Sequence, residues 1–286
     1  QELISPLDNR YSKKIIDLAN IFSESNLNKT RFEIEIDWII FITTHGGKNF
    51  KSLSSAAKKN LLIIKNHFDA KSAKRIKAIE TKTNHDVKAV EYFIREEMGK
   101  FSNLKKYQHL VHFALTSEDI NSLSYAVLLR DAIDIYIKKL DILIKDLKSK
   151  SRSWASLPLL ARTHGQAASP STVGKEIKVF HHRLTRQKDI LKKMKPLAKF
   201  GGATGNFHTL DLSDAKIDWV SKANKFLASF KVELSPVTTQ IEPHDGIAEI
   251  SHCILRINSI LIDLNQDMWM YIANDIFKLK LQDGEI

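Results

Sequence analysis

The sequence predicts an all-α protein, an elongated bundle of long helices preceded by a small helical N-terminal domain. Three stretches carry apolar residues at alternating spacings of four and three, which is typical of helices that pack nearly parallel. None of the six prolines interrupts these stretches. The apolar positions are Leu129, Ile133, Tyr136, Leu140, Leu143 and Leu147; Val173, Ile177, Phe180 and Leu184; and Ile250, Ile254, Ile257, Leu261, Leu264, Met268 and Tyr271.

The third stretch predicts a helix of about 30 residues, roughly 45 Å long at the rise of an α-helix. Such a helix exceeds the needs of an ordinary globular core and favours a bundle that is shared between subunits. A long helix inside a monomeric bundle is the alternative. The predicted division is a helical domain over residues 1–112 and a long-helix domain over residues 113–286.

Composition excludes several classes of protein. The 286 residues are 43% apolar, enough for a substantial core, and the single cysteine excludes an intrachain disulfide framework. Cys253 lies in a helical apolar pattern, so we expect a buried, inert thiol. No apolar run is long enough to span a membrane. We expect no secretory leader and therefore a cytoplasmic protein.

The net charge of +11 raises the possibility of nucleic-acid binding. The lysines are scattered along helical faces and are not gathered with aromatic residues into a stacking platform. We therefore interpret the charge mainly as a solvated surface, and secondarily as suited to a polyanionic small substrate.

The N-terminal half is helical after an irregular start that ends in Arg10 and Tyr11. Residues 32–42 alternate at first like a strand, but their continuous apolar run in a helical context predicts a buried helix. Residues 52–79 predict two short helices. Asn84 or Asp86 is the expected N-cap of the helix that follows, and Thr116-Ser117 is expected to open the first long helix.

The central polar segment, residues 157–176 (LPLLARTHGQAASPSTVGKE), lies between two long helical patterns and is too irregular to belong to either. We expect Ser169 as N-cap and Pro170 as the first residue of the next helix. His164 can exchange a proton near neutral pH, and Gly165 would let a ligand approach the backbone. A loop histidine bonded to a backbone carbonyl is the simpler interpretation of this motif alone.

Other polar segments lie between the helices: residues 83–86, 116–119, 201–206 and 238–245. Residues 201–206 (GGATGN) are expected to be a simple turn. No His-Glu-x-x-His motif and no cysteine cluster is present, the histidines lie far apart in sequence, and no nucleophile elbow is present. What remains is a set of His, Thr, Ser, Asn, Gln and Arg side chains at helix ends, which could bind an anionic substrate and move protons.

Four segments together carry a family resemblance: TNHDVKAVEYF (83–93), HFALTSEDIN (112–121), residues 157–176 and TTQIEPHD (238–245). In this order they resemble the bacterial adenylosuccinate lyases of the aspartase/fumarase superfamily, and the likeness extends over essentially the whole chain. The resemblance implies a homotetramer with shared active sites and a β-elimination without a cofactor or metal. Its substrates would be adenylosuccinate and succinyl-aminoimidazole-carboxamide ribotide.

The resemblance also implies roles for particular residues. His164 would be the general acid. Substrate contacts would come from Arg10, Tyr11, Asn84, His85, Asp86, Thr116, Ser117 and Gln240. Lys88 and Arg162 would be supporting charges. The family's general base is a serine in a Gly-Ser-Ser loop that follows Gly-Glu-Ile, and this sequence stops at Ile286, so the loop and the C-terminal helical domain are expected to be missing. We therefore expect no turnover from the 286 residues alone.

Two alternatives remain open from the sequence. Argininosuccinate lyase or fumarase would share the fold and the Thr-His pair, although the Thr-Asn-His-Asp and Thr-Thr-Gln segments argue against them. A non-catalytic basic scaffold or nucleic-acid binder would make use of the positive charge and would predict salt-dependent binding to DNA or RNA.

Overall fold

The computed structural model describes residues 4–284 as a mostly helical chain with two very small sheets. The all-α prediction is confirmed; Glu285 and Ile286, the end of the matched Gly-Glu-Ile segment, lie outside the described residues. The helices are α1 (Ile16–Phe22), α2 (Glu24–His45), α3 (Ser55–Asn66), α4 (Ala70–Thr83), α5 (Asp86–Gly99), α6 (Ser117–Ser153), α7 (Val173–Leu191), α8 (His208–Ser213), α9 (Trp219–Ser229) and α10 (Asp245–Ala273). The strands are β1 (Pro158–Thr163), β2 (Gln166–Thr172), β3 (Leu197–Ala198) and β4 (Glu233–Leu234).

The three apolar stretches all lie on single uninterrupted helices. α6 has 37 residues, α7 has 19 and α10 has 29, so the predicted length of the third helix is confirmed. The ambiguous residues 32–42 lie in the middle of α2, as predicted, and the two short helices expected over residues 52–79 are α3 and α4.

The chain forms two compact units. Among the described residues, the first contains 4–135 and 195–246, and the second contains 136–194 and 247–284. α6 and α10 each contribute to both units. The predicted domain boundary at residues 112/113 stays a prediction. In residues 4–284 no helix combines the length and the apolar character needed to cross a membrane.

The first unit is built around α2, which is buried on several faces. Ile34, Ile36, Trp38, Ile39 and Ile42 are each at most 1% exposed. A helix that is apolar on most of its surface must be surrounded by other elements. α2 is therefore the central element against which the polar segments of this unit are placed.

Aromatic rings fill the space beside α2. The ring of Trp38 lies 5.0 Å from that of Phe200 and 5.2 Å from that of Phe226, both edge-on. The Trp38 indole N–H donates to the backbone carbonyl of Phe113 at 3.0 Å. This bond satisfies the polar atom of a buried ring and fixes the segment that precedes α6.

The second unit packs α6, α7 and α10 through one apolar row on each helix. The buried members include Leu140, Leu147, Ile177, Phe180, Leu184, Ile250, Ile257 and Leu264. Cys253 is fully buried, and its Sγ lies 3.6 Å from the Gln187 carbonyl oxygen, so the prediction of a buried thiol is confirmed.

The segment before α7 corrects the sequence prediction. Residues 158–172 form an antiparallel hairpin, with Pro158 opposite Thr172 and Thr163 opposite Gln166. Pro170 lies within β2, where it is tolerated because a two-stranded hairpin leaves the outer side of each strand unpaired. The expected helix start at Ser169-Pro170 is wrong: α7 begins at Val173, and the hydroxyl of its N-cap Thr172 accepts the Lys175 N–H at 3.2 Å.

Candidate active site

His164 lies at the tip of the hairpin. His164 and Gly165 form the two-residue connection, and their φ angles of 52° and 74° are both positive, as a type I′ turn requires. The Arg162 guanidinium donates to the Gly165 carbonyl at 3.1 Å and braces the turn. A Cβ on Gly165 would meet nothing within 4 Å, and the His164 side chain is exposed. The imidazole is therefore presented outward on a defined turn.

The segment at residues 84–86 links α4 and α5. Asn84 ends α4 in the left-handed conformation with φ 50°, and His85 is the N-cap of α5, its Nδ1 accepting the Lys88 N–H at 3.3 Å. The prediction of Asn84 or Asp86 as the N-cap is therefore wrong. Asn can adopt a positive φ at low cost, which suits it to end a helix and not to begin one.

Asp86 pairs with Arg31 of α2, with Oδ2 2.7 Å from the guanidinium. Burial alone would raise the pKa of the Asp86 carboxyl, but the Arg31 charge, backbone hydrogen bonding and the neighbouring His85 together hold it below its usual range. Arg31 is buried and also donates to Asn28 Oδ1 at 3.2 Å. Asp86, which the sequence analysis expected to contact the substrate, therefore forms an ion pair that holds the start of α5 against α2.

A cluster of His112 with two buried carboxylates connects α2, α5 and the segment before α6. His112 Nδ1 lies 2.5 Å from Glu35 Oε1, and the His112 backbone N–H donates to Glu35 Oε2 at 3.0 Å. His112 Nε2 lies 3.8 Å from Glu91, which Lys88 also contacts at 2.8 Å. Both carboxylates are at most 3% exposed.

The electrostatics of this cluster favour a charged imidazole. Burial would lower the pKa of His112 and the nearby Lys88 charge acts in the same direction. The hydrogen bond that the His112 imidazole donates to Glu35 and the negative charges of Glu35 and Glu91 outweigh both effects and raise the pKa of the imidazole above its usual value.

Thr116 and Ser117 stand at the start of α6, as predicted. The Thr116 N–H donates to Asp119 Oδ2 at 2.8 Å, and the buried Asp119 carboxylate also accepts from the Gly201 N–H at 2.9 Å and the Gly202 N–H at 3.1 Å. Lys199 Nζ lies 2.7 Å from Asp119 Oδ1, with both side chains fully buried. The glycine loop, residues 201–206, is therefore held to the first turn of α6 and is more than the simple connector that the sequence predicted.

The glycine loop also touches the segment that contains Gln240. A Cβ on Gly205, which has φ 77°, would collide with the Thr238 carbonyl and lie 2.9 Å from its hydroxyl oxygen. A Cβ on Gly202 would lie 3.5 Å from the Ala114 carbonyl oxygen. Residues 112–119, 201–206 and 238–240 therefore converge in the first unit, and Gln240 is exposed beside them.

Arg10 and Tyr11 are not joined to this convergence by any hydrogen bond or ion pair among the described residues. The Arg10 guanidinium lies 5.5 Å from the centre of the Tyr11 ring, and both side chains are exposed. Their predicted substrate contacts stay a prediction. In residues 4–284 no group of three or more metal-ligating side chains is present.

Sequence reasoning missed Glu35, His112, Asp119 and Lys199 as determinants of the site. A signal for Glu35 existed: Glu33, Glu35 and Asp37 interrupt the apolar run of α2, and a buried carboxylate requires a partner. Lys199 sits in the sequence between apolar residues and a glycine pair, and its partner is 80 residues away, so no local pattern identifies it.

Comparison with known proteins agrees with this architecture. The structure resembles a fumarate lyase from Mesorhizobium sp. BNC1 with a TM-score of 0.72 at 17% identity, covering 89% of this chain and 57% of that one. It also resembles the 3-carboxy-cis,cis-muconate lactonizing enzyme of Pseudomonas putida, with a TM-score of 0.71 at 19% identity, covering 89% and 56%. The fold is therefore the one that these two enzymes share.

The family model described as "Lyase" matches residues 9–285. The chain belongs to this lyase family. It is 41% identical over 285 residues to the adenylosuccinate lyase of Escherichia coli K12 and 42% identical over 285 residues to that of Haemophilus influenzae, with 99% of this chain covered in both cases. The chain spans about 62% of the length of these curated relatives.

Proposed function

We propose that this protein is a carbon–nitrogen lyase that eliminates fumarate from adenylosuccinate to give AMP, and that it acts likewise on succinyl-aminoimidazole-carboxamide ribotide in purine synthesis. The observation that carries the proposal is the identity of 41% over 99% of the chain to a protein named adenylosuccinate lyase. The matched length of 285 residues leaves room for all four segments that the sequence analysis singled out.

The chemistry of the converged segments supports an anionic substrate. Adenylosuccinate carries a phosphate and two carboxylates, and it requires donors that are already in position when negative charge develops. Thr116 and Ser117 at the N-terminal end of α6 offer hydroxyl groups beside a positive helix end. The glycine loop and the exposed Gln240 side chain supply further polar groups next to them.

In the proposed reaction a base removes a proton from the carbon beside a carboxylate, and the carbon–nitrogen bond breaks with its electron pair passing to nitrogen. His164 protonates the leaving nitrogen, so fumarate and AMP are released without any change in oxidation state. The imidazole is exposed on a two-residue turn and is therefore accessible to a substrate. The resemblance assigns the base to a serine that is not among these 286 residues.

A homotetramer is the proposed assembly, because α10 carries large apolar side chains that its own unit leaves uncovered. Ile262 and Trp269 are each 66% exposed and Leu255 is 60% exposed, whereas Ile257 on the same helix is fully buried. Apolar groups on two sides of one long helix favour packing against further helices. We place the enzyme in the cytoplasm, where Cys253 would stay reduced.

A spectrophotometric assay of the purified, complete polypeptide with adenylosuccinate and argininosuccinate side by side tests the proposal. We expect fumarate from adenylosuccinate alone. Cleavage of argininosuccinate alone would assign the protein to the other lyase. Binding of RNA or DNA that weakens steeply with salt, without turnover of either substrate, would support the basic-scaffold alternative.

A further inference from the structure

A groove lined by positively charged side chains lies in the second unit, at the base of the hairpin. Its volume is about 460 Å³, and its walls are the last turns of α6, residue Thr172 and the first turns of α7. No carboxylate lines it within the part of the chain that the structure describes. The side chains that line it and can carry positive charge are Lys148, Arg152, Lys175, Lys178 and His181. We call it the cationic groove.

Helical spacing explains why these charges meet. Lys148 and Arg152 are four residues apart on α6, and Lys178 and His181 are three apart on α7, so each pair shares one face of its helix. The two helices approach closely at Gly174, because a Cβ there would collide with the Ser151 carbonyl oxygen in the last turn of α6. The two charged faces therefore border a single narrow opening.

Most of these charges lack a neutralising partner. Lys175 is the exception, because its Nζ lies 3.0 Å from Glu176 Oε1. Lys148, Arg152 and Lys178 form no ion pair with any residue between 4 and 284, although both signs of charge are abundant elsewhere on these helices. Like charges held together repel one another, and a bound anion would relieve that repulsion.

The pKa of the His181 imidazole reflects the positive charges around it. Burial lowers the pKa of its imidazole, and the positive charges of Lys148, Lys178 and Arg152, together with the neighbouring His182, lower it further. No carboxylate contributes to the pKa of this imidazole in the opposite direction. Its neighbourhood is therefore positive from both α6 and α7.

We propose that the cationic groove binds a small oligophosphate anion through Lys148, Arg152 and Lys178. Arg can contact phosphate oxygens with two parallel N–H groups, and the two lysines add point charges. No Phe, Tyr or Trp ring lines the groove among the described residues, so it lacks the large aromatic platform on which nucleobases usually stack. The ligand is therefore recognised by its phosphates, whether these are free or attached to a nucleoside.

The cationic groove lies far from His164, the proposed general acid. The groove adjoins Thr172 at the base of β2, whereas His164 stands beyond Gln166 at the other end of that strand. Six residue steps of extended strand span roughly 20 Å. A ligand in the groove would thus contact the base of the hairpin and leave the tip free.

Titration calorimetry with inorganic triphosphate tests the inference on the complete, purified protein. Lys148→Gln, Arg152→Gln and Lys178→Gln should each weaken binding about tenfold or more, as expected for lost charge-assisted bonds. Lys192→Gln, an exposed lysine at the far end of α7, is the matched control and should bind like wild type. ATP should bind with affinity similar to triphosphate, and AMP far more weakly.

NMR titration of the histidine Cε1–H signals gives an independent readout. Bound triphosphate should raise the pKa of His181 and should not move the Cε1–H signal of the exposed His252 on α10. Equal binding by wild type and the three groove variants, or an unmoved His181 pKa, would overturn the inference. So would binding of single-stranded RNA that depends on these residues while triphosphate does not bind. Each outcome is independent of lyase activity.

Discussion

The Lys199 ammonium lies 2.7 Å from the Asp119 carboxylate, and neither side chain is exposed to solvent. The same carboxylate accepts backbone N–H groups from Thr116, Gly201 and Gly202. One buried anion therefore fixes the start of α6 and the glycine loop to each other. The fully buried Lys199 ammonium neutralises its charge.

Removing the lysine should be strongly destabilising. Lys199→Met leaves the Asp119 charge buried and unpaired, and we expect a loss of about 3–5 kcal/mol in the free energy of unfolding. Urea unfolding measures this loss. The exposed Lys195→Met is the control and should stay within about 0.5 kcal/mol of wild type. A Lys199→Met protein as stable as the control would show that the ion pair does not hold the loop.

Two glycines with the same backbone conformation should respond differently to alanine. Gly205 has φ 77° and Gly165 has φ 74°, but an added Cβ collides with the Thr238 carbonyl only at Gly205. Gly165→Ala should cost only the conformational penalty, about 1 kcal/mol, whereas Gly205→Ala should cost more and should displace residues 238–240. Thermal unfolding of both variants checks this, and equal losses would contradict the close approach of the two segments.

The buried His112 cluster should make stability depend on pH. Because the folded-state pKa of His112 lies above its unfolded value near 6.5, its contribution is fully present below that value and is lost as pH rises through the folded pKa. His112→Gln removes the titration. The difference in unfolding free energy between wild type and this variant should therefore shrink from pH 6 toward alkaline pH. A difference that grows with pH would contradict a raised pKa of His112 in the folded state.

The N-cap of α7 can be tested with a matched pair. Thr172→Val removes the hydroxyl that accepts the Lys175 N–H, and we expect a loss of about 1 kcal/mol. Ser169→Ala lies in the exposed strand β2 and should change the unfolding free energy by less than about 0.5 kcal/mol. A larger loss for Ser169→Ala than for Thr172→Val would instead support Ser169 as the N-cap of α7, as the sequence predicted.

Much of the fold follows from periodic patterns in the sequence. The spacing of Leu129 through Leu147, and of Ile250 through Tyr271, locates α6 and α10 because helical repeats are local. The hairpin at residues 158–172 was not predicted. Ser169-Pro170 matches a helix start, and only the pairing of β2 with β1 across the His164-Gly165 turn overrides that local preference.

The candidate site was partly predictable. His164, Thr116 and Ser117 stood out as polar residues at the ends of helical patterns, and the family resemblance gave them roles. Lys199 and Glu35 could not be identified in this way, because each acts through a partner that is about 80 residues distant in sequence. Such pairs are determined by tertiary packing, which a local pattern does not contain.

The most direct test is fumarate release from adenylosuccinate by the complete wild-type polypeptide and by His164→Asn. Asparagine accepts the positive φ at position 164, so the turn should be kept while the proton donor is lost. We predict unchanged thermal stability and a fall in kcat of about 10²- to 10⁴-fold. A folded His164→Asn protein that turns over adenylosuccinate at the wild-type rate would contradict the assignment of His164 as the acid. A complete wild-type protein that releases no fumarate from this substrate would contradict the proposed activity itself.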